Sequence, residues 1–196
     1  MPHLRHNGSR SGPFFNPFSI HHLKKQTATA YWLLPAKPQR ELLCEIVRIL
    51  FKQFHAPNFE PHVTLLVTEK NGIKPGKVLQ QISASPIRLR VSGTAFSSKF
   101  TKTLFLQFKS NPALKELVVN LARNTKTKRR SLPDPHVSLV YKDLPTPVKA
   151  ALAAMIRLPF REIVFDSIQA VHLTLPVRNP ADVEAWRVVA KKSLRK

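Results

Sequence analysis
The sequence predicts one mixed helix–strand domain made by duplicating a strand–helix–strand unit. The first observation is a repeated five-residue frame, Pro61-His62-Val63-Thr64-Leu65 and Pro135-His136-Val137-Ser138-Leu139. The second is position. Each frame follows a strand and a helix, and about thirty residues separate the middle of each leading strand from its histidine. The third is size: at 196 residues and 43% hydrophobic, the chain can bury one core comfortably and two only poorly. Chance similarity of two such units is the bland alternative, and the five-residue match weighs against it.

Residues 1–26 are rich in Pro, Gly, Ser, His and Arg, lack acids and show no sustained periodicity. A disordered basic arm is expected there, followed by a single domain over 27–196 with two pseudo-symmetric lobes. A transit peptide or a mis-assigned start would leave the same pattern. The apolar run ATAYWLL over 28–34 predicts a strand. Pro35 and Pro38 then precede a helix to about Phe54, with Leu42, Leu43, Ile46, Val47, Leu50, Phe51 and Phe54 on one face. Residues 60–67 form the next strand; a turn at Asn71-Gly72 and a short helix over 77–82 follow. The second half repeats this with strands over 87–96 and 103–108, a helix opened by Asn111-Pro112, and a strand over 134–141. A helix over 147–156, a strand over 162–173 and a last element at 186–190, helix or strand, complete the chain.

Thirty-two basic residues against eleven acidic ones give a formal charge of +21, which draws polyanions. Both termini inflate that total, yet an excess remains in the folded part, so an anionic substrate is favoured over a solvated surface. Nucleotides and RNA are the expected partners; a membrane is not, since no apolar run approaches a bilayer span. The five glycines build no phosphate-cradling loop, so side chains must hold any phosphate. The single cysteine, Cys44, excludes an internal disulfide and reads as a buried helical thiol in a protein of a reducing, cytoplasmic compartment. The basic stretch 123–130 reads equally as a clamp for RNA phosphates or as a solvated loop.

A lone His on a strand is more often a satisfied side chain than a catalyst. Two in the same frame of a structural repeat reverse those odds. Strand alternation turns His62 and Thr64 to one face, His136 and Ser138 likewise, with Val63, Leu65, Val137 and Leu139 toward the core. Facing across a groove, the two pairs would bracket a phosphate, the hydroxyls donating to non-bridging oxygens. Histidine suits proton transfer because its ordinary pKa, roughly 6.5, allows one neutral and one protonated ring near neutrality. No His/Asp/Glu cluster has ligand spacing, so neither metal nor cofactor is expected.

These segments resemble the two-histidine (2H) phosphoesterases, in particular the cyclic phosphodiesterase branch known from plants and yeast. The resemblance rests on Tyr31-Trp32-Leu33-Leu34-Pro35, on Pro57 through Leu65, on Pro135 through Tyr141, and on Trp186-x-Val188-Val189-Ala190. It implies a bilobal α+β fold, with two antiparallel sheets forming a central groove and helices outside, and makes the last element a strand. It implies His62 and His136 as the acid–base pair, Thr64 and Ser138 as phosphate-binding residues, and Tyr141 as an aromatic lining the same site. The implied substrates are nucleoside 2′,3′-cyclic phosphates and ADP-ribose 1″,2″-cyclic phosphate, opened by a monomer. The chain departs from the branch at Lys99-Phe100-Thr101-Lys102-Thr103, where aromatics and cysteines are common, and it lacks the disulfide cysteines of plant members. The rival readings are an RNA 2′,3′-cyclic phosphodiesterase or 2′–5′ RNA ligase-like enzyme acting on RNA ends, and a non-catalytic RNA-binding module.

Overall fold
The computed structural model describes residues 25–69, 72–128 and 134–195. The expected arm lies outside these up to residue 24, as do Asn71 and residues 129–130 of the basic stretch; Gln26 already belongs to the first strand. The elements run β1 (Gln26–Pro35), α1 (Gln39–Phe54), β2 (Val63–Glu69), α2 (Pro75–Gln81), β3 (Ile87–Phe96) and β4 (Leu104–Phe108). They continue as α3 (Pro112–Asn124), β5 (His136–Val140), α4 (Thr146–Met155), β6 (Glu162–Leu175), α5 (Pro180–Glu184) and β7 (Arg187–Ser193).

The protein is α+β and all its strand pairings are antiparallel. The strand order is β1-β2-β5-β4-β3-β6-β7, and β6 also pairs with β1, so six strands close a ring and β7 lies outside it on β6. The two expected sheets are two arms of this one ring. In one, β2, β1 and β7 gather on β6 over 165–175; in the other, β5, β4 and β3 reach β6 at 162–165. At the far side the arms touch through a single registered pair, Val63 with Val137. Each half contains a strand, a helix and a neighbouring antiparallel strand: β1-α1-β2 and β4-α3-β5.

Local chemistry explains these elements. In α1, Leu43, Val47 and Leu50 are buried at helical spacing, and His55 ends the helix in a left-handed conformation (φ 49°), its N–H bonded to the Phe51 carbonyl. Asn111 caps α3 by accepting from the Leu114 N–H at 2.9 Å, with Pro112 in the first turn. β1 is buried on both faces beyond its first two residues, one face against the main core and the other in a smaller cluster beside the cavity. Tyr31 and Leu33 join the main core under the helices, while Ala28, Ala30, Trp32 and Leu34 form a second cluster with Val171 and Leu173.

Four expectations change. The segment at 60–67 becomes a strand only at Val63, because Pro61 supplies no N–H for a ladder and His62 turns its ring nitrogen back onto the chain. Cys44 is only partly buried, one position around α1 from the Leu43–Val47 stripe, though burial still raises its thiol pKa. Phe51, expected on the apolar face of α1, is exposed, while the last element is a strand, β7, as the resemblance implied. The short α5 and a 3₁₀ turn at Phe100–Lys102 had no expected counterpart.

Candidate active site
A cavity of about 390 Å³ opens where the arms meet, and His62, Thr64, His136, Ser138 and Tyr141 all line it. The two histidines are held by the same device. The Nδ1–H of His62 donates to the Glu60 carbonyl at 2.6 Å, and that of His136 to the Asp134 carbonyl at 2.9 Å. A carbonyl can only accept, so Nδ1 must carry the proton in both rings, and Nε2 is the nitrogen left for substrate. The intervening Pro61 and Pro135 fix φ at about −65°, which restricts the turn that brings each ring back to the carbonyl two residues earlier. Each acid is itself fixed by a cation, Glu60 by Arg40 and Asp134 by Lys102.

The two rings differ in their surroundings. His62 is 5% exposed and stacked on Trp32, with ring centroids 3.7 Å apart at 12°, and Trp186 meets it edge-on at 6.1 Å. Burial, helped by the nearby His136, drives its pKa down to about 3. His136 is less enclosed, packed edge-on against Phe105 at 5.4 Å. Burial lowers its pKa too; its bond to Asp134 and that carboxylate oppose the shift, while the Lys102 and Lys99 charges add to it.

Lys102 and Asp134 therefore act as opposed levers on His136. Lys102→Gln should raise the His136 pKa, because it removes a repelling charge and leaves the Asp134 carboxylate unpaired beside the ring. Asp134→Asn should lower it. An NMR titration of the imidazole reads both, and a shift of the same sign in the two variants would refute the arrangement.

The hydroxyls are less free than alternation suggested. Thr64 is half-buried at the cavity wall. Ser138 donates its proton to the Thr101 carbonyl at 2.8 Å, so offering it to a phosphate requires that bond to break. Tyr141 is hydrogen-bonded to the Ser138 side chain and stacked on Phe59 at 4.0 Å and 8°; burial holds its hydroxyl well above the ordinary phenol range. The 3₁₀ turn bearing Thr101 is braced from several sides. Ser97 Oγ donates to the Lys102 carbonyl, Thr103 Oγ1 to that of Phe100, and the buried Lys149 Nζ to that of Ser97.

Sequence reasoning gave no site role to Trp32, Phe59, Thr101 or Trp186, nor to Glu60 and Asp134. The acids were legible: each stands immediately before Pro-His, extending the repeated frame by one residue. Among the described residues, no group of three or more His, Cys, Asp or Glu is placed to hold a metal ion.

With this geometry in place, the comparisons agree. The family described as cyclic phosphodiesterase-like protein matches residues 27–194. The chain belongs to that family, within the two-histidine phosphoesterases. It is therefore a phosphoesterase of the kind that acts on a phosphodiester or cyclic phosphate. No curated protein matches it. Among solved structures, E. coli LigT complexed with 3′-AMP is similar at 12% identity and a TM-score of 0.54, covering 88% of this chain and 100% of that one. LigT complexed with ATP gives 12% and 0.53 over the same shares, and a structure described as a phosphoesterase gives 11% and 0.50 over 87% and 99%. At such identity the likeness is one of fold. No helix among the described residues is long and apolar enough to cross a membrane.

Proposed function
We propose that this member of the family is a metal-independent cyclic phosphodiesterase, opening nucleoside 2′,3′-cyclic phosphates to 2′-phosphates, with ADP-ribose 1″,2″-cyclic phosphate as a further substrate. One observation carries the reading: two neutral imidazoles line one cavity, each with Nδ1 spent on a backbone carbonyl and Nε2 kept for proton transfer. His62, the harder ring to protonate, takes the proton from attacking water as the water oxygen bonds phosphorus. His136 becomes imidazolium as the anionic phosphate arrives, and gives its Nε2 proton to the ribose 3′-oxygen as the P–O3′ bond breaks. Thr64 and Ser138 steady the non-bridging oxygens, and Tyr141 closes the wall behind Ser138. The crystallised complexes of LigT with ATP and 3′-AMP show that this fold accommodates nucleotides, which supports a nucleotide here.

Turnover of uridine 2′,3′-cyclic phosphate, followed by release of the 2′-phosphate with and without EDTA, tests the proposal. Equal rates are expected. A strict metal requirement would replace the mechanism, and salt-sensitive RNA binding without any turnover would favour the RNA-binding module.

A further inference from the structure
Lys149 stands out in α4. Among the described residues of that helix it alone is buried, at 6% exposure, while Leu152 and Ala153 are only partly covered. Its ammonium donates to the Ser97 carbonyl at 3.0 Å and stands 6.0 Å from the centre of the Phe96 ring. Among the described residues it has no other side-chain hydrogen bond and no carboxylate partner. Burying a charge on one hydrogen bond is costly, and an apolar side chain of like volume fills such a place with no loss of stability, often with a gain. The packing of α4 does not account for a cation here. What the cation holds does.

Ser97 opens the segment 97–103 that joins β3 to β4. Its N–H donates to the Thr103 carbonyl at 3.1 Å, and its Oγ donates to the Lys102 carbonyl at 2.7 Å and accepts from the Lys99 N–H at 3.2 Å. Those bonds close the segment on itself. The bond from Lys149 ties it to α4, on the side away from the catalytic strand. Toward β5 it has two other ties. The Thr101 carbonyl accepts from Ser138, and Lys102 pairs with Asp134, whose own carbonyl holds His136. The segment is thus suspended between α4 and the His136 half of the cavity. A phosphate that claims the Ser138 proton removes one tie on the β5 side, at the step where the placement of His136 decides the rate. The tie to Lys149 survives that step, because neither Ser97 nor Lys149 is among the residues lining the cavity.

We propose that Lys149 is a positioning residue for the reaction: from outside the cavity it holds the 97–103 segment still, so that Lys102 keeps Asp134, and His136 keeps its setting, once Ser138 has turned to the phosphate. The effect on turnover rests on the phosphodiesterase reading; the effect on His136 rests on the hydrogen bonds alone. Without Lys149 the segment follows the broken Ser138 bond, Lys102 draws away from Asp134, and the proton donor is left with an unpaired carboxylate beside it. The charges of Lys102 and Asp134 both act on the His136 ring, so the ring itself reports the movement.

The test sets Lys149→Met, which removes the charge and the bond and keeps an unbranched chain, beside Leu152→Ala, which loosens α4 and leaves the tie intact. On uridine 2′,3′-cyclic phosphate, Lys149→Met should lose about tenfold to a hundredfold in kcat, with KM changed by less than about threefold. Its Tm should hold or rise, because a buried charge has been removed. Leu152→Ala should show the opposite pattern, a lower Tm with kcat unchanged. The second readout needs no turnover. In an NMR titration Lys149→Met should by itself raise the His136 pKa, and adding Lys102→Gln should then contribute less than about half of the shift it gives in the wild type. A kcat within about twofold of wild type, an equal loss in Leu152→Ala, or a full Lys102→Gln shift in the Lys149→Met background would overturn the proposal. So would a Lys149→Met protein that does not fold, since the cation would then serve the fold alone. A wild type that turns over no cyclic phosphate would defeat the phosphodiesterase reading, and the imidazole titration would still decide for or against Lys149.

Discussion

With His62 or His136 replaced by alanine, turnover of a nucleoside 2′,3′-cyclic phosphate falls by about 10²–10⁴-fold per substitution. The expectation follows from the free Nε2 on each ring and from the state of two other titratable groups near them. Tyr141 holds its proton because burial raises its pKa, and Asp134 is committed to Lys102. The two losses should not multiply in the double variant, because acid and base act in one step. The roles separate on bis(p-nitrophenyl) phosphate, whose leaving group departs without a proton. His136→Ala should recover most of its loss there, and His62→Ala should stay impaired, because water still has to be deprotonated. The reverse pattern would exchange acid and base, and full activity of either variant on the nucleotide would remove the two-histidine mechanism altogether. Since kcat/KM reports the free protein, and both rings titrate below the ordinary histidine value there, its optimum should lie on the acid side of about 6.5.

What the sequence made legible was local. His62-x-Thr64 and His136-x-Ser138 could be placed on one face because alternation acts over two residues, and helix periodicity placed α1 and α3 because their buried stripes are continuous. What it hid was tertiary. Trp32 reaches His62 through the β1–β2 register, where a bulge follows Tyr31, and no local pattern announces that stack. Arg40 and Lys102 find their acids across 20 and 32 residues of chain. The Thr101 carbonyl that takes the Ser138 proton belongs to a 3₁₀ turn too short to carry a period. α5 had a signal, Asn179-Pro180, the same cap that opens α3. Five residues without an apolar stripe gave that cap nothing to start.

Replacing Phe165 by alanine should destabilise the fold by about 3–5 kcal/mol. The side chain is 0% exposed and meets Phe108 edge-on at 5.7 Å. Its position raises the stake: Phe165 is the residue of β6 registered against both Pro35 of β1 and Ile87 of β3, the point where the two arms share one strand. For a domain this size the cost corresponds to a fall in Tm of about 10 °C. Loss of packing at this seam should also let the arms shift, and with them the spacing of His62 from His136, because the opposite join is the single Val63–Val137 pair. Leu117→Ala provides the comparison. It empties the same core from α3, at a similar cost of about 2–5 kcal/mol, away from the seam. Measured well below either Tm, kcat should fall in Phe165→Ala and hold in Leu117→Ala. Equal kcat in the two would mean that the arms keep their spacing without the seam, and that the catalytic pair depends only on its own Pro-His turns.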